Sequence, residues 1–125
     1  MTKATILLIN DNPSFRSFLH LILEVAGYHI LTTNDVEDAL DMLREQPVQL
    51  IILADMYRSE LAGYQLLHQI NQHPLWSTIP VICITGRALN RDMNAIRQFG
   101  FDRYLTKPIQ TWELLSAVHH HILPA

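Results

Sequence analysis

The chain has 125 residues, enough for one hydrophobic core and too few for two. With 49% apolar and 17% charged residues it is not disordered, and nine Lys+Arg against twelve Asp+Glu argue against a chain-wide phosphate-binding surface and so against direct nucleic-acid binding. Its one cysteine, Cys83, cannot form an internal disulfide, no apolar run approaches the roughly 18 residues of a membrane span, and the apolar run ending at Ile9 is too short for a signal peptide; a single soluble, cytoplasmic domain over residues 1–125 is expected.

The first predicted strand is the apolar run Ala4–Ile9. Pro13 suits the first turn of a helix whose stripe is Phe15, Phe18, Leu19, Ile22 and Ala26, and Gly27 stops it. Tyr28–Thr33 is the second strand. Asn34, with Glu37 three positions on, resembles a capping box for a helix that turns Val36, Ala39, Leu40 and Leu43 inward. Leu50–Leu53 is the third strand, and the following helix carries Gly63, Leu66, Leu67 and Ile70 on one stripe and ends at His73-Pro74. Ile79-Pro80 puts a proline at the opening of the fourth strand, Val81–Thr85, where a missing donor is tolerated. Leu89, Met93 and Ile96 mark a fourth helix closed by Gly100, Arg103–Thr106 reads as the fifth strand, and Leu114, Leu115, Val118 and Ile122 mark the last helix. Three of the strands are continuously apolar, as strands covered on both faces are. The alternation is (βα)5: an α/β three-layer sandwich around a parallel sheet with right-handed crossovers.

Ligands of such sheets bind outside the carboxyl ends of the strands. There the chain carries Asn10-Asp11-Asn12-Pro13, Ala54-Asp55-Met56-Tyr57, Thr85-Gly86-Arg87 and Lys107-Pro108. Asp11 and Asp55 should converge on one edge with the Thr85 hydroxyl and the Lys107 ammonium. Two carboxylates without a buried counter-charge invite a hard divalent cation, most simply Mg2+. A lysine and a hydroxyl beside it suit a phosphoryl group, and a carboxylate can serve as its acceptor. Taken singly, Asp11 also fits a helix N-cap and Lys107 a surface lysine; the set of residues together favours the site.

In order, Asp11, Asp55, Gly63 eight residues on, Thr85-Gly86 and Lys107-Pro108 resemble the receiver domain of bacterial two-component response regulators (the chemotaxis-type receiver family), over Thr5 to about Leu123. The resemblance implies a flavodoxin-like fold with strand order 2-1-3-4-5. It implies that Asp55 accepts a phosphoryl group from a sensor histidine kinase or a histidine phosphotransfer protein, with Mg2+ held by Asp11, Asp55 and the backbone carbonyl of Tyr57. Thr85 and Lys107 would bind the phosphoryl oxygens, Thr85 and Tyr104 would act as switch residues, and the Lys107-Pro108 bond would be cis. The chain would then be a switch that phosphorylates and dephosphorylates itself, and not a turnover enzyme. Its output surface would be the fourth helix, fifth strand and last helix, where Arg91, Arg97, Arg103, Tyr104 and Trp112 fall and where a homodimer would form.

Two departures bear on that reading. The family usually has two acidic residues after the first strand, whereas this chain has Asn10-Asp11, so Asn10 is expected to be a weak or water-mediated metal ligand. Arg58-Ser59 replaces the family's usual Met-Pro. Both features favour a second reading, a pseudo-receiver that works as a protein-interaction module without phosphate. A nucleotide binder is disfavoured, because no Gly-rich loop follows the first strand. The resemblance implies that Tyr57 and Arg87 flank the route of the hydrolytic water, and two such large side chains are expected to slow loss of the phosphoryl group. Cys83 reads as an inert core thiol, and His119-His120-His121 as a solvated helix end, since successive helical residues point about 100° apart.

Overall fold

Ile6, Leu7, Leu8 and Ile9 are all fully buried, so β1 (Thr5–Asn10) has no solvent face and requires a layer on each side. In the computed structural model, which describes residues 3–54, 60–85, 100 and 102–122 (the side chains of residues 60–62, 64 and 85 excepted), β1 lies inside a five-stranded sheet of order β2-β1-β3-β4-β5. The other strands are β2 (His29–Thr33), β3 (Leu50–Ala54), β4 (Val81–Thr85) and β5 (Arg103–Thr106), and every pairing is parallel. The described helices are α1 (Pro13–Val25), α2 (Val36–Glu45), α3 (Glu60–Gln72) and, after β5, α4 (Thr111–Ile122). The helix predicted around Leu89, Met93 and Ile96 lies outside the described residues. The flavodoxin-like order expected of the sequence is the order found.

Local chemistry sets the element ends. The Asn12 side chain accepts hydrogen bonds from the Ser14 and Phe15 amides at 3.1 and 3.2 Å, and Pro13 occupies the first turn of α1. At its other end Gly27, at φ +104°, lets the Gly27 and Tyr28 amides turn back onto the carbonyls of Glu24 and Leu23. This is the Schellman arrangement that glycine favours. The capping box expected at Asn34 is displaced by one residue. Thr33 Oγ1 accepts from the Asp35 amide at 3.0 Å, which carries the chain past Asn34, and Asp35 caps α2 through the Glu37 amide. Pro80 precedes β4 instead of opening it, but its carbonyl still accepts from the Ile51 amide at 3.0 Å. Asp102 ties the start of β5 to β4, accepting from the Val81 amide through its carboxylate at 2.7 Å and donating its own amide to the Val81 carbonyl.

The sheet separates two apolar clusters. Ile6, Leu8, Ile52 and Ile84 pack with Leu19, Leu23, Leu114 and Val118 beneath α1 and α4. Leu7, Ile9, Ile51 and Leu53 pack with Ala39, Leu40, Leu66 and Ile70 beneath α2 and α3. The stripe expected on α1 needs correction. Leu23 joins Leu19 in the core, while Phe18 is 45% exposed and Ala26 is also exposed. Apolar residues on both sides of that helix make its inward face ambiguous by spacing alone. Cys83 is half-buried and not sealed in the core. His119 and His120 are exposed as expected of a solvated helix end, but His121 is half-buried, and burial followed by the neighbouring His120 pushes its imidazole below the ordinary value. No helix among the described residues is long and apolar enough to cross a membrane.

Candidate functional site

At the carboxyl end of the sheet the register aligns one row of residues across the strands. Asn10 pairs with Ala54, Ala54 with Ile84, and Ile84 with Leu105. Neighbouring strands in such a row lie about 4.8 Å apart. Asp11 follows Asn10 directly. Thr85 follows Ile84 as the last residue of β4, in register with Thr106, and Lys107 comes next in the chain. Asp55 follows Ala54 in sequence, but Asp55 and Tyr57 lie outside the described residues, as do Arg58, Ser59, Arg87, Arg91 and Arg97. The structure therefore brings the strand ends that carry Asp11, Thr85 and Lys107 to one edge, beside the end of β3.

Asn10 is fully buried and its side chain is split between two situations. Oδ1 accepts from the Asn12 amide at 2.5 Å, whereas Nδ2 has no hydrogen-bond partner among the described residues. A buried donor left unpaired costs about 1–3 kcal/mol. Such a donor suits an anionic oxygen and does not suit a cation. The Asn10 carbonyl also accepts from the Arg16 guanidinium at 3.2 Å. One short segment thus links the strand end to the first turn of α1: Asn10 holds Asn12, and Asn12 caps Ser14 and Phe15.

Lys107 is half-buried, and its Nζ lies 3.6 Å from the centroid of the Phe15 ring, within cation–π range. The Lys107-Pro108 bond is cis, as the resemblance implies. Tyr104 is half-buried in β5, in register with Cys83 and on the opposite sheet face from Leu105. Asp11 is half-buried at the edge of the site. Sequence reasoning missed three contributors: Asn12 as the cap, Arg16 on the Asn10 carbonyl, and Phe15 beneath Lys107. The available signal for Phe15 was its place in the first turn after Asp11, which its assignment to the core stripe obscured.

Residues 6–119 match the family of response regulator receiver domains. The polar-differentiation response regulator DivK of Brucella ovis is 28% identical over 122 residues, covering 98% of this chain and 98% of its own. A probable cyclic di-GMP phosphodiesterase of Vibrio cholerae is 31% identical over 122 residues, and there the similarity spans 27% of the relative's length. Among solved structures, the receiver domain of the sensor histidine kinase PA1611 from Pseudomonas aeruginosa, with a magnesium ion coordinated in its active site cleft, is 26% identical, with a TM-score of 0.83 over 97% of this chain and 98% of that one. Fold, strand order and sequence agree, and the chain belongs to the response regulator receiver domain family of two-component signalling.

Proposed function

We propose that this chain is a phosphorylation-driven switch in which Asp55 accepts a phosphoryl group from a histidine kinase or a histidine phosphotransfer protein. The observation that carries this reading is the aligned row Asn10, Ala54, Ile84 and Leu105, because Asp11, Asp55 and Thr85 each stand one residue beyond it. In the proposed step an Asp55 carboxylate oxygen attacks phosphorus in line with the leaving imidazole nitrogen. The P–N bond breaks, its electron pair stays on the imidazole, and an acyl phosphate forms. Lys107 and the Thr85 hydroxyl would bind the phosphoryl oxygens.

Asp11 and Asp55 offer the hard oxygen donors that suit Mg2+, and the Tyr57 carbonyl would add a third, whereas the unpaired Asn10 amide does not suit a cation. When bound, the ion would neutralise charge between the carboxylates and the incoming group. Receiver domains bind Mg2+ in the cleft of a related structure, which supports the same role here. The donor's docking surface would be α1, where Phe18, Leu21 and Val25 are 45%, 64% and 79% exposed on the helix that starts at the site. Phosphorylation would change the surface around Tyr104, β5 and α4, where exposed Trp112 and Arg103 would anchor a second copy.

A small phosphodonor with Mg2+ tests the reading by intact mass. Phosphoryl mass on the wild type that vanishes in Asp55→Asn supports it; no added mass on the wild type, or mass that survives the substitution, overturns it. The asparagine at position 10, where the family usually has an acidic residue, favours a second reading, a phosphate-independent interaction module, and that reading expects no added mass.

A further inference from the structure

Lys107 meets more than the edge of the sheet. Its ammonium sits over the face of an aromatic ring that belongs to another element, with Nζ 3.6 Å from the Phe15 centroid. The negative face of such a ring attracts a cation, more strongly where water is partly excluded. Phe15 is itself held on three sides. The Asn12 side chain fixes its amide at 3.2 Å, the ring packs against the core beneath α1 and α4, and it stacks on Phe18 with centroids 6.1 Å apart. A lysine carries a flexible four-carbon stem, and a point charge at its end binds phosphoryl oxygens well only if its position is defined.

We propose that Phe15 is a positioning residue for Lys107, its ring helping to hold the ammonium that would bind the phosphoryl oxygens of a phosphorylated Asp55. This rests on the acceptor reading above. A leucine at position 15 would keep most of the apolar volume and lose the π face, whereas a tyrosine would keep both. Loss of the π face weakens the hold on the ammonium, and the rate of phosphorylation should fall about fivefold.

The chain has only two lysines, Lys3 and Lys107, so ¹³C-lysine labelling gives two sets of side-chain signals. A methylene carried over a ring face is shifted upfield by the ring current, a signature that general destabilisation does not produce. We expect the Lys107 ε-CH2 signal of the wild type to lie upfield of that of Lys3, to return toward it in Phe15→Leu, and to stay upfield in Phe15→Tyr. Modification by a small phosphodonor at saturating Mg2+ should slow about fivefold in Phe15→Leu and recover in Phe15→Tyr. An unshifted Lys107 signal in a wild type that takes phosphate on Asp55 overturns this inference alone. So does a Phe15→Leu protein modified at the wild-type rate. A wild type with a shifted Lys107 signal and no phosphoryl mass overturns the acceptor reading, and the positioning role with it. The wild-type spectrum decides the contact even if Phe15→Leu does not fold.

Discussion

Replacing Asn10 with aspartate exchanges an unpaired amide donor for a second carboxylate beside Asp11. A divalent cation gains from the added charge, so Asn10→Asp should bind Mg2+ at least about tenfold more tightly, measured by amide shifts during a Mg2+ titration. Equal affinity in the two proteins would show that position 10 does not face the ion. In chelator the same variant should melt lower than the wild type, because the fully buried position 10 would then carry a negative charge beside that of Asp11. His121 gives a second prediction at this scale. Its folded value lies below its ordinary one through burial, with His120 and Arg103 acting in the same sense and Asp102 against. The unfolded chain therefore binds the extra proton first as pH falls. Stability is full above about pH 6.5 and declines as pH drops toward the folded value. Thermal midpoints followed from pH 8 to 5 should fall more steeply in the wild type than in His121→Gln; parallel curves would remove His121 from the balance.

Among the described elements, α1 carries apolar residues on both its buried and its exposed face. Leu19 and Leu23 fill the core, while Phe18, Leu21 and Val25 face outward. Leu21→Arg should leave the thermal midpoint within about 0.5 kcal/mol of equivalent stability, since an exposed position has no cavity to open. It should slow phosphotransfer from a histidine phosphotransfer protein at least about tenfold while leaving a small phosphodonor unaffected. Equal slowing with both donors would place the effect in the site and not on a docking surface. This helix also shows where the sequence is and is not legible. In β1 the four residues Ile6–Ile9 and in β3 every residue are apolar, so burial on both faces follows from composition. In α1 the spacing admits two stripes, and only packing against β1 decides between them. The shift of the α2 cap from Asn34 to Asp35 has a similar cause, because both are capping residues and the Thr33 hydroxyl settles which is used. The placement of Asp11 and Lys107 at one edge of the sheet was legible because strand ends in a parallel sheet share one edge. Which atom of Asn10 is engaged, and which ring lies under Lys107, depend on side-chain directions that no spacing encodes.

At the scale of the whole molecule, the surface of β5 and α4 should respond to the state of Asp55. Beryllofluoride with Mg2+, standing in for the phosphoryl group, is expected to shift the protein toward a dimer in sedimentation at concentrations above micromolar, and Trp112→Ala should reduce that shift. No change with the fluoride would count against an output surface there. The sheet has another consequence. Because it lies between two apolar clusters, it insulates them energetically. Ile51 and Ile52 are neighbours in the chain, yet Ile51 belongs to the cluster beneath α2 and α3 and Ile52 to the one beneath α1 and α4. Ile52 and Ile82 are distant in sequence but paired in register on one face. Each Ile→Val change should cost about 0.5–1.5 kcal/mol. In a thermodynamic cycle the adjacent pair should add within about 0.5 kcal/mol, while the distant pair should show a larger interaction energy, since those two side chains share the same packing neighbours. Proximity along the backbone would then predict coupling in the wrong direction, and the face of the sheet would predict it correctly.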